Sequence, residues 1–251
     1  MILTGKIRSP ATGSVYEIRN GYLDLLGGRT GADNVANLTN LLPGAGRGYE
    51  PLWRVHSLSL LTGESFPNER ELEIISGLGA YEAGGRLLDL GCSAGLYTRS
   101  LTLAPGVGDV VGIDISPSML KEAARRARGI RAWPSFARAD AKNLPFADGA
   151  FSSAVCGGSL NEFGDPSRVL RETHRVLRAG GRLAVMGILR ARTTRGRRLQ
   201  RFLSTGGIRF FEPEELWSML DHAGFDPDPL LTHGAVFFTG ATRRPQALQS
   251  L

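Results

Sequence analysis

At 251 residues the chain is long enough for one large core, or for a main domain with a small appendage. Its apolar content of 42% is ordinary for a globular protein, no run approaches the roughly 20 apolar residues of a membrane span, and the first residues lack a signal-peptide pattern, so a cytoplasmic protein with no membrane partner is expected. The net charge of +6 admits a polyanionic partner, but arginine carries nearly all of it, and two cysteines, Cys92 and Cys156, exclude a disulfide framework and an all-cysteine zinc site.

In chain order, Ser14–Ile18 and Tyr22–Leu26 alternate apolar and polar residues about Asn20-Gly21, a hairpin signature that predicts a small β module over residues 1–28. Residues 29–45 mix glycine, asparagine and alanine, and helical spacing returns in Leu52–Leu61 and Glu69–Ile75, giving a linker and helical cap over 29–81. From 82 to 251 strands and helices alternate: strand 86–91, helix 95–104, strand 109–114, helix 117–128, strand 134–139, strand 150–156, helix 166–178 and strand 181–188, then helix 213–223 and strands near 229–232 and 235–240. Such alternation predicts a parallel sheet covered on both faces. Arg190, Arg192, Arg195, Arg197, Arg198 and Arg201 crowd one connection, which reads either as a solvated loop or helix face or as a clamp for an anion.

Four segments carry chemistry. Leu87-Leu88-Asp89-Leu90-Gly91-Cys92-Ser93-Ala94-Gly95 is an apolar strand that breaks into a glycine turn before a helix, a geometry that lets backbone approach a ligand closely. Val111-Gly112-Ile113-Asp114 ends in a carboxylate about 20 residues further on, where an acid can accept hydrogen bonds from both ribose hydroxyls. Ala139-Asp140-Ala141 and Leu177-Arg178-Ala179-Gly180-Gly181 follow in order. The loop lacks the third glycine of the dinucleotide fingerprint, so a nucleoside without phosphates fits it better than NAD.

These motifs, spanning about residues 86–190, resemble the class I S-adenosylmethionine-dependent methyltransferases, in particular the methyltransferase type 11 group. The resemblance implies an α/β fold: a Rossmann-like seven-stranded sheet with helices on both faces, residues 82–251 forming that domain. It also implies S-adenosyl-L-methionine as cofactor, S-adenosyl-L-homocysteine as product, and no metal. The group's D-x-G-x-G-x-G pattern has Ser93 here in place of its middle glycine. By the same resemblance Asp89, Gly91, Ser93 and Gly95 hold the methionyl end, Asp114 takes the ribose, and Ile115 and Met119 flank the adenine. Asp140 accepts from the exocyclic amine, the Ala141 amide reads the ring nitrogen, and Gly157 and Gly158 offer backbone contacts. Asn161 or Glu162 would orient or deprotonate the acceptor, although the group often places a histidine near Asn161 and this chain has none there. Tyr97 reads equally as reaching the methionyl carboxylate or the substrate or as packing its helix; His56, His233 and Arg197 are candidates for facing substrate, whereas His174 and His222 read as surface residues. Residues 1–28 resemble a zinc-ribbon-like module of some methyltransferases, with Ser9-Pro10-Ala11-Thr12 where that module carries C-P-x-C, so its zinc is expected to be gone.

The leading functional expectation is methyl transfer to a small-molecule acceptor by in-line displacement. An RNA base methyltransferase is the alternative suggested by the ribbon-like N-terminus and the arginine-rich segment. Against it stands the shortage of aromatic residues among those arginines, where stacking on an extruded base would be expected. A cofactor-binding protein without turnover is the third reading. The identity of the acceptor, its reacting atom and the oligomeric state leave no signature in the chain.

Overall fold

A computed structural model describes residues 2–10, 12–27, 55–79, 84–130 and 133–245. The described strands are β1 (Gly5–Arg8), β2 (Val15–Arg19), β3 (Tyr22–Asp24), β4 (Leu87–Leu90), β5 (Val110–Asp114), β6 (Ser135–Arg138), β7 (Phe151–Gly157), β8 (Leu177–Ile188), β9 (Phe225–Pro227), β10 (Leu231–His233) and β11 (Val236–Arg243). They form one sheet in the order β1-β2-β3-β6-β5-β4-β7-β8-β11-β10, with β9 also paired to β11. The strands from β6 through β5, β4 and β7 to β8 run parallel, and β11 returns antiparallel to β8. The chain starts this parallel run at β4, fills one side through β5 and β6, then crosses to β7 on the other side of β4. That reversal opens a crevice at the carboxyl ends of β4 and β7, where ligands of open α/β sheets bind.

Side-chain alternation sorts the strands onto two cores. Leu88, Leu90, Ile113, Ala154, Cys156, Leu183 and Val185 point to one face. Leu87, Val110, Val155, Ala184 and Met186 point to the other. Both faces are therefore apolar, which is why the strands read as nearly continuous hydrophobic runs. The helices covering them are α1 (Val55–Thr62), α2 (Asn68–Gly79), α3 (Leu96–Thr102), α4 (Pro117–Ala127), α5 (Pro166–Val176), α6 (Thr194–Ser204) and α7 (Pro213–His222). Caps written in the sequence start three of them. Ser116 Oγ accepts from Met119 N at 3.3 Å, Asp165 Oδ1 from Arg168 N at 2.9 Å, and Thr193 Oγ1 from Gly196 N at 3.1 Å. Proline follows the cap in α4 and α5, where its missing N–H costs nothing.

The predicted elements are found with shifted ends. The helix expected over 166–178 stops at Val176, because Leu177 is already extended and paired opposite Phe151. The arginine-rich connection is helical as α6, and β9 adds a strand that the turn at Gly224 had hidden. Helices α1 and α2 lie on the sheet face against β8 and β11. The connection expected over 29–45 lies outside the described residues.

The three N-terminal strands do not stand apart as a ribbon. Strand β3 pairs in parallel with β6, Leu23 opposite Ala137 and Asp24 opposite Arg138, so the hairpin extends the main sheet. The Arg138 guanidinium, 9% exposed, lies 3.4 Å from Asp24 and donates to Gly27 O at 2.6 Å and Ile115 O at 3.0 Å. One buried side chain thus ties the N-terminal strands to the loop that follows β5. Among the described residues no helix is long and apolar enough to cross a membrane.

Candidate cofactor site and acceptor edge

The turn after β4 bends through three residues in the left-handed region: Gly91 (φ 67°), Ser93 (φ 50°) and Gly95 (φ 80°). Only glycine adopts that region without cost, so Ser93 carries local strain of about 1 kcal/mol, and the surroundings hold it there. Ser93 N donates to Asp114 Oδ2 at 2.9 Å, and Ser93 Oγ lies 3.5 Å from the Met119 sulfur. The other Asp114 oxygen accepts from Ser116 N at 2.8 Å. Two backbone amides from two different loops therefore fix the Asp114 carboxylate. Burial pushes its pKa up, and the amides of Ser116, Ser93 and Ile115 pull it back. Each oxygen keeps lone-pair capacity for further donors.

This arrangement brings Ser93, Asp114, Ile115 and Met119 to the ends of β4 and β5. Asp140 follows β6 and closes a tight turn: its Oδ1 accepts from Lys142 N at 2.9 Å, while Oδ2 lies 3.7 Å from Lys142 Nζ. Ala141 is buried beside it. Asp89 is 2% exposed, and its carboxylate accepts from Thr98 Oγ1 at 2.6 Å, so it orients α3 from beneath the turn. Gly95 begins α3 where a Cβ would meet Ala123 at 2.9 Å, the close approach of α3 to α4 requiring its absence.

On the β7 side, Ser159 Oγ donates to Gly91 O at 2.9 Å and clamps the two strand-end loops together. Gly158 N donates to Met186 O at 2.8 Å. A Cβ on Gly157 would lie 2.0 Å from the Tyr97 ring, so that ring covers the Gly157 backbone. Tyr97 is 3% exposed and donates its hydroxyl to the buried Glu71 of α2. Of the readings open for Tyr97, this placement favours the packing one, between α2, α3 and β7.

Asn161 is also held by the fold. It is 1% exposed; its Nδ2 donates to Ile188 O at 2.9 Å and Arg209 O at 2.6 Å, and its Oδ1 accepts from Ile188 N at 2.9 Å. Committed to three backbone groups, it holds the end of β8. Glu162, partly buried, follows it on the same turn. His233 closes β10 at the ligand edge, with Nδ1 2.9 Å from Glu64 Oε1 and its ring against Phe66. His56 falls within α1, but its side chain lies outside the described residues. His174 is partly buried against Phe225 rather than purely superficial, and that burial lowers its pKa. Arg197 lines a separate cleft of about 560 Å³ that opens beyond β8, between α6 and the strap 207–210.

The cysteines supply no chemistry. Burial pushes the Cys156 thiol up to about 12, and burial with the nearby Asp89 and Asp114 charges raises Cys92 well above its ordinary value. Both stay protonated at neutral pH. The groups that sequence reasoning missed are Thr98, Ser159 and Glu71. Thr98 lies just past the glycine turn, nine residues from its partner Asp89, and nothing local marks Ser159 or Glu71, whose partners lie 68 and 26 residues distant.

Comparison with known proteins finds methyltransferases. A family described as "Methyltransferase domain" matches residues 88–185. The 27-O-demethylrifamycin SV methyltransferase of Amycolatopsis mediterranei is 32% identical over 193 residues, 70% of each chain. The demethylmenaquinone methyltransferase of Thermotoga maritima is 29% identical over 180 residues, 62% of this chain and 77% of that one. The Thermus thermophilus enzyme of the same name is 41% identical over 106 residues, and there the chain spans only 48% of the relative. Among solved structures, the [4+2]-cyclase SpnF superposes with a TM-score of 0.63 at 21% identity, covering 85% of this chain and 97% of that one. Phosphoethanolamine N-methyltransferase 2 of Haemonchus contortus, in complex with S-adenosylhomocysteine, gives 0.65 at 17% identity, covering 79% and 59%. The cyclase shares the fold under another activity, so the fold alone does not fix the chemistry.

Proposed function

Since the chain belongs to the class I S-adenosylmethionine-dependent methyltransferases, we propose that it transfers a methyl group from S-adenosyl-L-methionine to a small-molecule acceptor and releases S-adenosyl-L-homocysteine. The observation that carries the reading is the fixed Asp114 carboxylate, held by Ser93 N at 2.9 Å and Ser116 N at 2.8 Å beside a turn with three left-handed residues. A pre-oriented acceptor-only group at that place suits two vicinal hydroxyls. The turn lacks the third glycine of the dinucleotide fingerprint, which favours a nucleoside without phosphates.

In this reading Gly91, Ser93 and Gly95 present backbone to the methionyl end, and Asp89 serves them through Thr98. Asp114 takes the ribose, Ile115 and Met119 enclose the adenine, and Asp140 with the Ala141 amide reads its edge. Bound there, the cofactor supplies an electrophilic methyl on a sulfonium, whose C–S bond breaks as the acceptor's bond to carbon forms. The protein's part is to align the acceptor, exclude water and receive a proton where the acceptor must lose one. Glu162, next to the Gly157–Asn161 turn, is the proton-accepting candidate left once Asn161 is committed. The names of the rifamycin and menaquinone relatives favour a small acceptor over RNA.

The test is transfer of labelled methyl from S-adenosylmethionine to a panel of phenols, hydroquinones and hydroxylated polyketides. Label in an extractable product, strongly reduced with Asp114→Ala at limiting cofactor, is the expected outcome. A protein that binds the cofactor yet labels only added RNA would overturn the small-molecule reading.

A further inference from the structure

The cleft beyond β8 is lined by Arg190, Arg197, Arg201 and Arg209, with Gln200 at its base and Glu215 at its margin. Four guanidinium groups thus share one cavity with a single lining carboxylate. Arg209 is paired with that Glu215 and lies over the Phe211 ring at 5.7 Å, and Arg190 Nε is 3.3 Å from Glu212. Arg197 and Arg201 differ: among the described residues no acidic side chain lies within ion-pairing distance of either.

Their direction is fixed from below. Gln200 is 7% exposed; its Oε1 accepts from Ala191 N at 2.8 Å and its Nε2 donates to Leu189 O at 2.9 Å. This anchors α6 to the exit of β8 by one buried side chain. Arg197 and Arg201 are four residues apart and so share one helix side, held in place by the anchored Gln200 between them in the chain. The opposite wall belongs to the candidate acceptor edge. Arg209 N donates to Asn161 O at 2.8 Å, and Asn161 returns a bond to Arg209 O, so this wall hangs from the turn that follows Gly157.

We propose that this cleft is the acceptor's anion subsite: Arg197 and Arg201 grip a carboxylate or phosphate group of the methyl acceptor, with Arg190 and Arg209 completing the field. Planar guanidinium forks match such oxyanions in a bidentate way, and two guanidinium groups without an acidic partner in a concave cleft raise the local concentration of anions. The proposal rests on the methyltransferase reading, and it narrows the acceptor to a small acid.

The experiment titrates the full chain with benzoate, phenyl phosphate and neutral phenol, each with and without saturating S-adenosylhomocysteine, by calorimetry. The wild type is expected to bind one or both anions and not phenol, and Arg197→Gln/Arg201→Gln to bind them about tenfold or more weakly with S-adenosylhomocysteine affinity unchanged. Benzoate against phenyl phosphate separates a carboxylate acceptor from a phosphorylated one. Equal anion binding by wild type and variant, or none by the wild type, overturns the subsite. Should the double variant not fold, the wild-type anion affinity must still fall as salt is raised, and a salt-insensitive affinity overturns the subsite equally. A short structured RNA that binds far more tightly than either anion, and loses that binding in the variant, assigns the arginines to RNA and overturns the small-acid proposal. Failure to bind S-adenosylhomocysteine would strike the methyltransferase reading instead, because the anion titration without it reads the cleft alone.

Discussion

At Gly157 the missing side chain is what lets the Tyr97 ring close over the end of β7. An added methyl would meet the ring at 2.0 Å, and the ring cannot swing away without releasing its hydroxyl from Glu71. Gly157→Ala should therefore destabilise the protein by about 1–3 kcal/mol, read as a lower denaturant midpoint, and an unchanged midpoint would mean that the contact is slack. The residues legible in the sequence were those whose meaning is local. Asp114 ends an apolar strand at a fixed interval from a glycine turn, and the structure puts its carboxylate on the Ser93 amide of that turn. Tyr97 and Asn161 sit beside the same motifs, and their sequence leaves open whether they face a ligand or serve the packing. Their partners, Glu71, Ile188 and Arg209, are 26, 27 and 48 residues away, and only the folded chain shows that those partners consume their hydrogen bonds.

Helices α4 and α6 show how differently two elements of 11 residues can be held. Helix α4 buries Met119, Leu120, Ala123, Ala124 and Ala127 as an apolar stripe and starts at a serine cap followed by proline, so its sequence announces it. Helix α6 buries Gln200 alone and carries its arginines outward, and the apolar residues its sequence offers, Leu199 and Phe202, stay exposed. In α4 the Glu122 carboxylate, 5% exposed, is clasped by Arg125 at 2.7 Å and Arg126 at 2.8 Å, and these guanidinium groups hold its pKa down at about 2 against an ordinary 4.5. A depressed carboxylate stabilises the fold fully above its unfolded value, and the contribution is lost as pH falls from about 4.5 towards about 2. Because the Arg125 side chain is 59% exposed, solvent screens the pair and the contribution is on the order of 1–2 kcal/mol. Glu122→Gln should lower the thermal midpoint at pH 7 and make it less sensitive to acid over that window than the wild type. Parallel melting curves at pH 7 and pH 3 check this, and identical acid sensitivity in the two proteins would contradict it.

Across the whole molecule, the parallel order was legible because alternating strand and helix patterns leave few topologies. The place of the N-terminal hairpin was not. Its residues predict two paired strands, but nothing in Tyr22–Asp24 says that they will add to β6, and the tie through Arg138 joins residues 114 positions apart. The result is one sheet whose outer strands, central crevice and arginine-lined cleft are mechanically continuous, with Arg138 reaching the loop after β5 and Asn161 reaching the strap after α6. The central claim is that the ends of β4, β5 and β6 hold an S-adenosyl nucleoside through Asp114. Calorimetric titration of wild type and Asp114→Ala with S-adenosylhomocysteine tests it most directly. The account predicts one site per chain in the wild type and an affinity lowered about 10- to 100-fold in the variant, the loss expected for hydrogen bonds to a charged acceptor. Equal affinity in a folded Asp114→Ala, or no binding by the wild type, would contradict it.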